Sequence, residues 1–254
     1  MAFRLPKLSL GLRPIDEHRQ AGTCPEATAC MSRPVSGNRL GVSTRTSPWP
    51  DRISGWNRAR KWQHFRDEIP LTEELVVLDV GFSTAEYQDA DNFIEKHYPF
   101  PHRLTALTLD DPNSAAARYP DVRIVRYDGR TMPFADREFD VVWSNAVLEH
   151  VGGAERQIAF LRELDRVGTR HFITTPNRWF PVEVHTRVPL LHWLPKPYFD
   201  AYLRRRGHDW AAGEYMHLLG RGQLACMLRR AGIEKFHIRR NRVLGSTLDF
   251  IVTW

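Results

Sequence analysis

From residue 75 onward, short runs of Val, Ile and Leu punctuate the chain: LVVLDV (75–80), RLTALTL (103–109), VRIVRY (122–127), FDVVWS (139–144) and RHFITT (170–175). Runs of this length, bounded by Gly, Asp, Asn or Pro, predict strands. Between them the apolar positions fall at helical spacing, in NFIEKHY (92–98), NSAAARY (113–119) and AERQIAFLRELDRVG (154–168). In the last of these Ile158, Leu161 and Leu164 mark one face, and Gly168 ends the helix. A further helix is predicted ahead of the first strand, in ISGWNRARKWQHFRDEI (53–69), where Trp56, Ala59, Arg60, Trp62 and Phe65 recur at roughly helical spacing. Parallel neighbours need a crossover and a helix supplies one, so this alternation predicts a parallel sheet covered on both faces.

After residue 175 the rhythm changes. Residues 176–219 are crowded with Pro, Trp, His and Tyr, a composition that predicts an insertion covering a substrate rather than another strand and helix. A helix, RGQLACMLRRAG (221–232), and two closing strands, IEKFHIRR (233–240) and STLDFIVTW (246–254), follow. The short NRVLG connection makes antiparallel pairing of those two strands the simplest arrangement. The expected architecture is α/β: a doubly wound, mostly parallel seven-stranded sheet with helices on both faces and an antiparallel C-terminal strand. Residues 1–50 show no apolar periodicity and are rich in Pro, Gly, Ser, Thr and Arg, which predicts a disordered leader before a domain spanning 51–254.

Composition and charge narrow the function classes. The chain has 254 residues, 42% of them hydrophobic, and a formal charge of +6. Residues 1–50 hold seven basic residues against three acidic ones, so the rest of the chain is close to neutral, as suits a small-molecule enzyme. A cluster near the C-terminus (Arg229, Arg230, Lys235, Arg239, Arg240, Arg242) keeps nucleic-acid binding open as an alternative. Three cysteines (Cys24, Cys30, Cys226) form no metal-type pair and leave an odd one over, which suits a reducing compartment. The N-terminus lacks the apolar core of a signal peptide, and no run of about 18 apolar residues occurs, so a cytoplasmic protein without a membrane span is expected.

An open parallel sheet binds its ligand outside the carboxyl ends of its strands. Here four successive ends deliver polar groups: Asp79 and Gly81, Asp110 and Asp111, Asp128 and Gly129, Ser144 and Asn145. A carboxylate after the second strand can accept both ribose hydroxyls, one after the third can accept from an adenine amine, and Gly81 lets the backbone approach a ligand closely. Each Asp could equally be a turn or cap residue. A dinucleotide fits less well, because of the G-x-G-x-x-G that receives a pyrophosphate only the first glycine is present.

The run VVLDVG, the strand end TLDD and the block YDGRTMPFADREFDVVWSNAVLEHVGG resemble the class I S-adenosylmethionine-dependent methyltransferases, especially the small-molecule type 11 group. The resemblance is specific over residues 122–152 and extends over 74–254 at the level of the fold. It implies a Rossmann-like sheet, S-adenosylmethionine as cofactor, Asp79 and Gly81 at the methionine end, Asp110 on the ribose, Asp128 and Gly129 at the adenine, and Asn145 lining the pocket. The chain departs from the family after the first strand, where Phe82, Ser83, Thr84, Ala85 and Glu86 replace a glycine-rich turn. Asp79 and Asp110 lie 31 residues apart, against about 20 in a compact nucleotide-binding unit. A lengthened acidic loop closed by an Asn92/Glu95 capping box would account for the excess. Its Glu86, Asp89 and Asp91 either meet the methionyl ammonium or are solvated loop charges.

Transfer of a methyl group to a hydroxyl needs a proton acceptor and no metal. Glu149 and His150 in VLEHVGG, and Glu183 and His185 in FPVEVHT, supply candidates, with His185 preferred, Glu183 orienting it and His150 second. Trp179, Phe180, Trp193, Tyr198 and Phe199 could stack on a sugar or an aromatic acceptor, or simply form core. The expected activity is O-methylation of a small metabolite or glycan unit. The alternatives are a nucleic-acid methyltransferase or binding module, and a non-catalytic protein of the same fold.

Overall fold

All seven predicted strands form, in a single sheet of order β3-β2-β1-β4-β5-β7-β6. They are β1 (Val77–Val80), β2 (Leu104–Thr108), β3 (Arg123–Arg126), β4 (Phe139–Asn145), β5 (Gly168–Pro176), β6 (His237–Val243) and β7 (Ser246–Thr253). The computed structural model describes residues 48–86 and 90–254, and the side chains of all of these except residues 48–53 and Glu214. The expected leader therefore falls almost entirely outside the described residues, as does Asp89. Strands β1 to β5 pair in parallel, while β7 runs antiparallel to both β5 and β6. The β6–β7 turn is Leu244–Gly245, with φ of 47° and 82°, the positive pair that lets a two-residue hairpin follow strand twist.

Period-2 alternation divides the core between the two faces. On one face Leu78, Val80, Val142, Ile173, Phe250 and Val252 pack with the apolar stripes of α4 (Ala154–Val167) and α6 (Arg221–Arg230). On the other, Val77, Val141, Trp143, Phe172 and Ile251 pack with α1 (Pro48–Glu68), α2 (Phe93–His97) and α3 (Asn113–Ala116). The helix α1 starts earlier than the expected residue 53 and seats Phe65, fully buried, edge-on against Trp143 and Phe172 at 5.0 and 5.3 Å. Asn57, Lys61 and Phe65, one helical turn apart, share that buried face. The face is apolar under the middle of the sheet and becomes polar toward the carboxyl ends of the strands.

Gly168 does end α4, though for a different reason than a left-handed cap. Its backbone is extended, and a Cβ there would stand 2.3 Å from Val142 Cγ2, so glycine lets the helix end pass directly into β5. Residues 176–219 add no strand to the sheet. They hold α5 (Lys196–Arg205) and short 3₁₀ turns around a small core of their own: Val188, Phe199, Leu203, Ala211 and Met216. Among the described residues no helix is long and apolar enough to cross a membrane.

Candidate active site

Strand order reverses between β1 and β4, and a cavity of about 430 Å³ opens there at their carboxyl ends, within the range of small-molecule sites, roughly 300–1,000 Å³. Four parts of the chain wall it. The end of β1 supplies Asp79 and Gly81, the loop into α2 supplies Asp91, and α2 itself supplies Glu95. The α1 helix brings Arg58 and Lys61, and the far wall is Asn145, His150, His185 and Tyr215.

At one end two carboxyl groups meet out of water. Asp79 is 6% exposed and Glu95 6%. Burial raises the Asp79 carboxyl to about 7, with its contact to Glu95 opposing. Burial also pushes Glu95 well above the usual range, and the neighbouring Asp79 charge pushes it the same way. Two carboxylates this close cannot both ionise in a dry setting, so the pair holds a proton at neutral pH. Apart from the proton shared with Asp79, no donor reaches the Glu95 carboxyl, an arrangement that a cationic group entering the cavity would satisfy.

The predicted capping box does not form. Asn92 has φ 49° and no capping hydrogen bond. Its amide instead clasps the loop, accepting from Ser83 N–H at 3.3 Å and donating to Ser83 O at 2.8 Å and to Glu86 Oε1 at 2.9 Å. Glu86 also accepts from the Tyr119 hydroxyl and pairs with Lys96 and Arg118 at 3.2 and 3.5 Å. Asp91 pairs with Arg58 at 2.7 Å. Glu86 and Asp91 are thus paired and not freely solvated charges, and of the two only Asp91 reaches the cavity wall. They fold the lengthened loop so that Glu95, one turn further on, takes the buried position.

Gly81 has φ 115°, and a Cβ on it would lie 2.2 Å from Val147 Cγ2. Only glycine allows the chain to leave β1 in this direction beneath the loop after β4. Behind the cavity, Lys61, 4% exposed, donates to Asn145 Oδ1 and contacts Asp249 Oδ2, both at 3.1 Å. Asn145 Oδ1 also accepts from Thr174 Oγ1 at 2.7 Å, and Asn57 donates to Asp249 at 2.7 Å. This network fixes Asn145 at the wall.

The other end of the cavity is a histidine–carboxylate cluster. His185 Nδ1 meets Glu183 Oε1 at 2.8 Å, and His150 Nδ1 meets Tyr215 O at 3.2 Å. The two Nε2 atoms face each other at 3.1 Å. Glu149, fully buried, accepts from Thr175 at 3.0 Å through Oε2, while its Oε1 has no partner and lies 3.8 Å from each Nε2. Burial disfavours charge on Glu183, but its bonds from His185 and Thr186 win and hold it down at about 2. Burial, together with the His185 charge, lowers His150 to about 4. Burial raises Glu149 to about 7. Burial also works against a cationic His185, but the hydrogen bond from Glu183 and the charges of Glu149 and Glu183 raise it above the ordinary value.

Glu183 and His185 do not come together by strand alternation. Residues 183–188 form a turn closed by Glu183 N–H to Val188 O at 2.9 Å, and the Glu183 carboxylate also accepts from the His185 and Thr186 backbone. The dyad was visible in the spacing, although the geometry that makes it is local and turn-like.

Asp110, Asp128 and Gly129 are not among the residues that line this cavity. Asp110 is exposed beside the loop and accepts from Thr84 Oγ1 at 3.3 Å. Asp128 accepts the Arg130 and Thr131 N–H groups at 2.8 and 3.2 Å, the turn role left open by the sequence, and these bonds lower its carboxyl. Gly129 has φ 79° with Leu109 close by. The three therefore form a separate open shelf at the ends of β2 and β3. Of the insertion's aromatics, Trp179, Trp193 and Tyr198 are exposed and Phe199 belongs to the small core, so the ring that the insertion brings to the cavity is Tyr215 instead, beside Phe93 and Trp143. Lys61, Arg58 and Tyr215 were missed by sequence reasoning, and only a three-dimensional fold places α1 over the strand ends. The basic cluster near the C-terminus is partly paired: Arg230 with Glu155 at 2.7 Å, Arg239 with Glu68 at 2.8 Å, and Arg229 over Phe236 at 5.5 Å.

A sheet of this order, with its cavity at the β1/β4 reversal and acidic residues at the strand ends, defines the class I methyltransferase fold. Residues 78–171 match the model of a family described as a methyltransferase domain. Among solved structures, an S-adenosylmethionine-dependent methyltransferase from Mesorhizobium loti is similar at 16% identity and TM-score 0.51, covering 76% of this chain and 96% of that one. A Thermotoga maritima S-adenosylmethionine-dependent methyltransferase has 12% identity and TM-score 0.52, with 81% and 90% covered. The 1,6-didemethyltoxoflavin-N1-methyltransferase of Burkholderia thailandensis has 17% identity and TM-score 0.51, with 82% and 80% covered. A search among curated proteins finds no match. Residues 78–171 thus match a methyltransferase domain, within a sheet that has the class I S-adenosylmethionine-dependent methyltransferase fold.

Proposed function

We propose that the chain methylates a hydroxyl oxygen of a small metabolite or glycan unit. The observation that carries this reading is the histidine–carboxylate cluster, whose His150 and His185 line the same cavity as the buried acid pair. A hydroxyl acceptor must lose a proton as it attacks, whereas a neutral amine attacks through its free lone pair and can shed its proton afterwards.

The residues at the acid end fit the methionyl end of the cofactor. Its ammonium would satisfy the Glu95 oxygens with Asp79 beside them, and Gly81 leaves room for the backbone to approach. Asp110 would take the ribose hydroxyls, and Asp128 with Gly129 the adenine, on the open shelf. When bound, S-adenosylmethionine supplies an electrophilic methyl group on a sulfonium with a neutral leaving group. The protein's own task is to position the acceptor and hold its proton. His185 does the latter, with Glu183 fixing its tautomer and ring through Nδ1, and His150 is its neighbour. The insertion, which supplies His185 and Tyr215 to the wall, covers the acceptor.

The test is incubation of the purified chain with methyl-labelled S-adenosylmethionine and fractionated small-molecule extract, read by mass spectrometry. Label on a hydroxyl oxygen of a small molecule supports the reading. Label on nitrogen or carbon, or label confined to RNA, contradicts it.

A further inference from the structure

We infer that Glu149, His150 and His185 form a binding site for a first-row divalent metal ion. The three ligand atoms are Glu149 Oε1, His150 Nε2 and His185 Nε2, separated by 3.1, 3.8 and 3.8 Å. Bonds of about 2.1 Å place the ligand atoms of a tetrahedral ion about 3.4 Å apart. The cluster therefore surrounds a point that an ion could occupy with little movement.

Three features together favour an ion over a plain hydrogen-bond cluster. First, both imidazoles are oriented through Nδ1, one by the Glu183 carboxylate and one by the Tyr215 carbonyl. In their neutral forms both rings then carry the proton on Nδ1 and turn a lone pair inward at Nε2. That is how metal-binding histidines are held, with the outer nitrogen donating to a carboxylate or carbonyl. Second, two inward lone pairs 3.1 Å apart repel one another unless something positive lies between them. A single proton shared by the histidines answers that, but it leaves the third feature unexplained. Glu149 Oε1 is fully buried, has no hydrogen-bond partner and points at both nitrogens. A buried carboxylate oxygen without a partner is costly, and a cation satisfies it.

The ligands come from two parts of the fold. Glu149 and His150 sit in the 3₁₀ turn after β4, and His185 in the insertion. An ion would tie the insertion to the sheet. His150 and His185 also line the main cavity, so the coordination positions left open by three protein ligands face the place where an acceptor would sit. Two imidazoles and one carboxylate with open positions suit zinc, iron or cobalt in the divalent state. A hydroxyl oxygen coordinated there loses its proton to solvent water more readily than a free hydroxyl does, and the ion then takes the place of His185 as the group that handles the acceptor. This keeps the proposed reaction but moves the handling of the acceptor's proton from His185 to the ion, and rests on that reading only for the location of the acceptor.

The experiment uses tag-free full-length chain, stripped with a chelator and titrated with Co²⁺ under visible absorption, with bound metal counted by mass spectrometry. The expected result is one Co²⁺ per chain with ligand-field bands, displaced by Zn²⁺. Glu149→Gln and His185→Ala should weaken binding at least 100-fold, and Glu183→Gln, which touches no ion, by about 10- to 100-fold. If Glu149→Gln fails to fold by circular dichroism, His150→Ala carries the same test. Absence of saturable binding, or binding that survives these substitutions, overturns the inference and leaves a shared proton. Titration with S-adenosylmethionine on the same samples separates the two readings. Cobalt without cofactor binding removes the methyltransferase reading and keeps the ion, and the reverse result does the opposite.

Discussion

Glu183 and His185 form a closed unit: the carboxylate accepts from the imidazole at 2.8 Å and from the backbone N–H of the same histidine at 3.0 Å. One side chain therefore sets both the ring orientation and the local turn. His185→Ala is expected to lower kcat by about 10²-fold or more, the usual scale for a lost proton acceptor, with the Kd for S-adenosylmethionine nearly unchanged. Glu183→Gln should lower kcat less than His185→Ala, because the one remaining amide oxygen still accepts from part of the turn while the charge and the second acceptor are lost. Steady-state kinetics beside cofactor titration checks both.

The buried acid pair has a consequence for stability that is independent of activity. Asp79 is raised to about 7 in the folded chain, whereas an unfolded Asp titrates near about 4. Below about pH 4 the group is protonated in both states. Between there and about 7 only the folded chain keeps the proton, so this contribution is fully present at low pH and is lost as pH rises through about 7. Without cofactor, Asp79→Asn should flatten the fall in Tm between pH 5 and 8. It should leave the variant more stable than the natural chain at pH 8, by roughly 2–4 °C per kcal/mol recovered. Thermal melts across that pH range read it directly.

Gly81→Ala combines a positive φ with a 2.2 Å approach to Val147 Cγ2, and a strained left-handed residue alone costs about 1–3 kcal/mol. The variant should fold poorly or lose cofactor binding. Adding Val147→Ala should recover part of the loss, since it clears the contact and leaves the backbone strain.

Phe65→Ala should destabilise by about 3–5 kcal/mol, as for other large buried aromatics, and should also weaken cofactor binding. The ring anchors α1 against Trp143 and Phe172, and α1 carries Lys61 and Arg58 to the cavity. Chemical denaturation and cofactor titration measure the two effects separately.

Much of this was legible in the sequence because it is written in periodicity. The five parallel strands, the antiparallel close and α4 follow from apolar spacing, and the strand-end polar residues follow from the strands. The pairing of Glu183 with His185 was readable from their separation of two residues, although a turn rather than a strand produces it. Other parts depend on contacts between distant segments. Glu95 reads as a helix-cap residue in sequence, and only the clasp of Asn92 on Ser83 and Glu86 turns it inward toward Asp79. Lys61 reads as one more charge on a helix, yet it is buried because Asn145 and Asp249 meet it there. Glu149 lies beside His150 in the chain, but its relation to His185 exists only once the insertion folds back over β4.

The cavity between β1 and β4 is expected to take the methionyl end of S-adenosylmethionine against the Asp79/Glu95 pair. Isothermal titration of the full chain with S-adenosylmethionine, repeated on Glu95→Gln, tests it most directly. Saturable binding of one S-adenosylmethionine per chain is expected, weakened about tenfold or more in the variant, consistent with the loss of a charge-assisted contact. Absence of binding by the natural chain, or equal affinity in the variant, would contradict it.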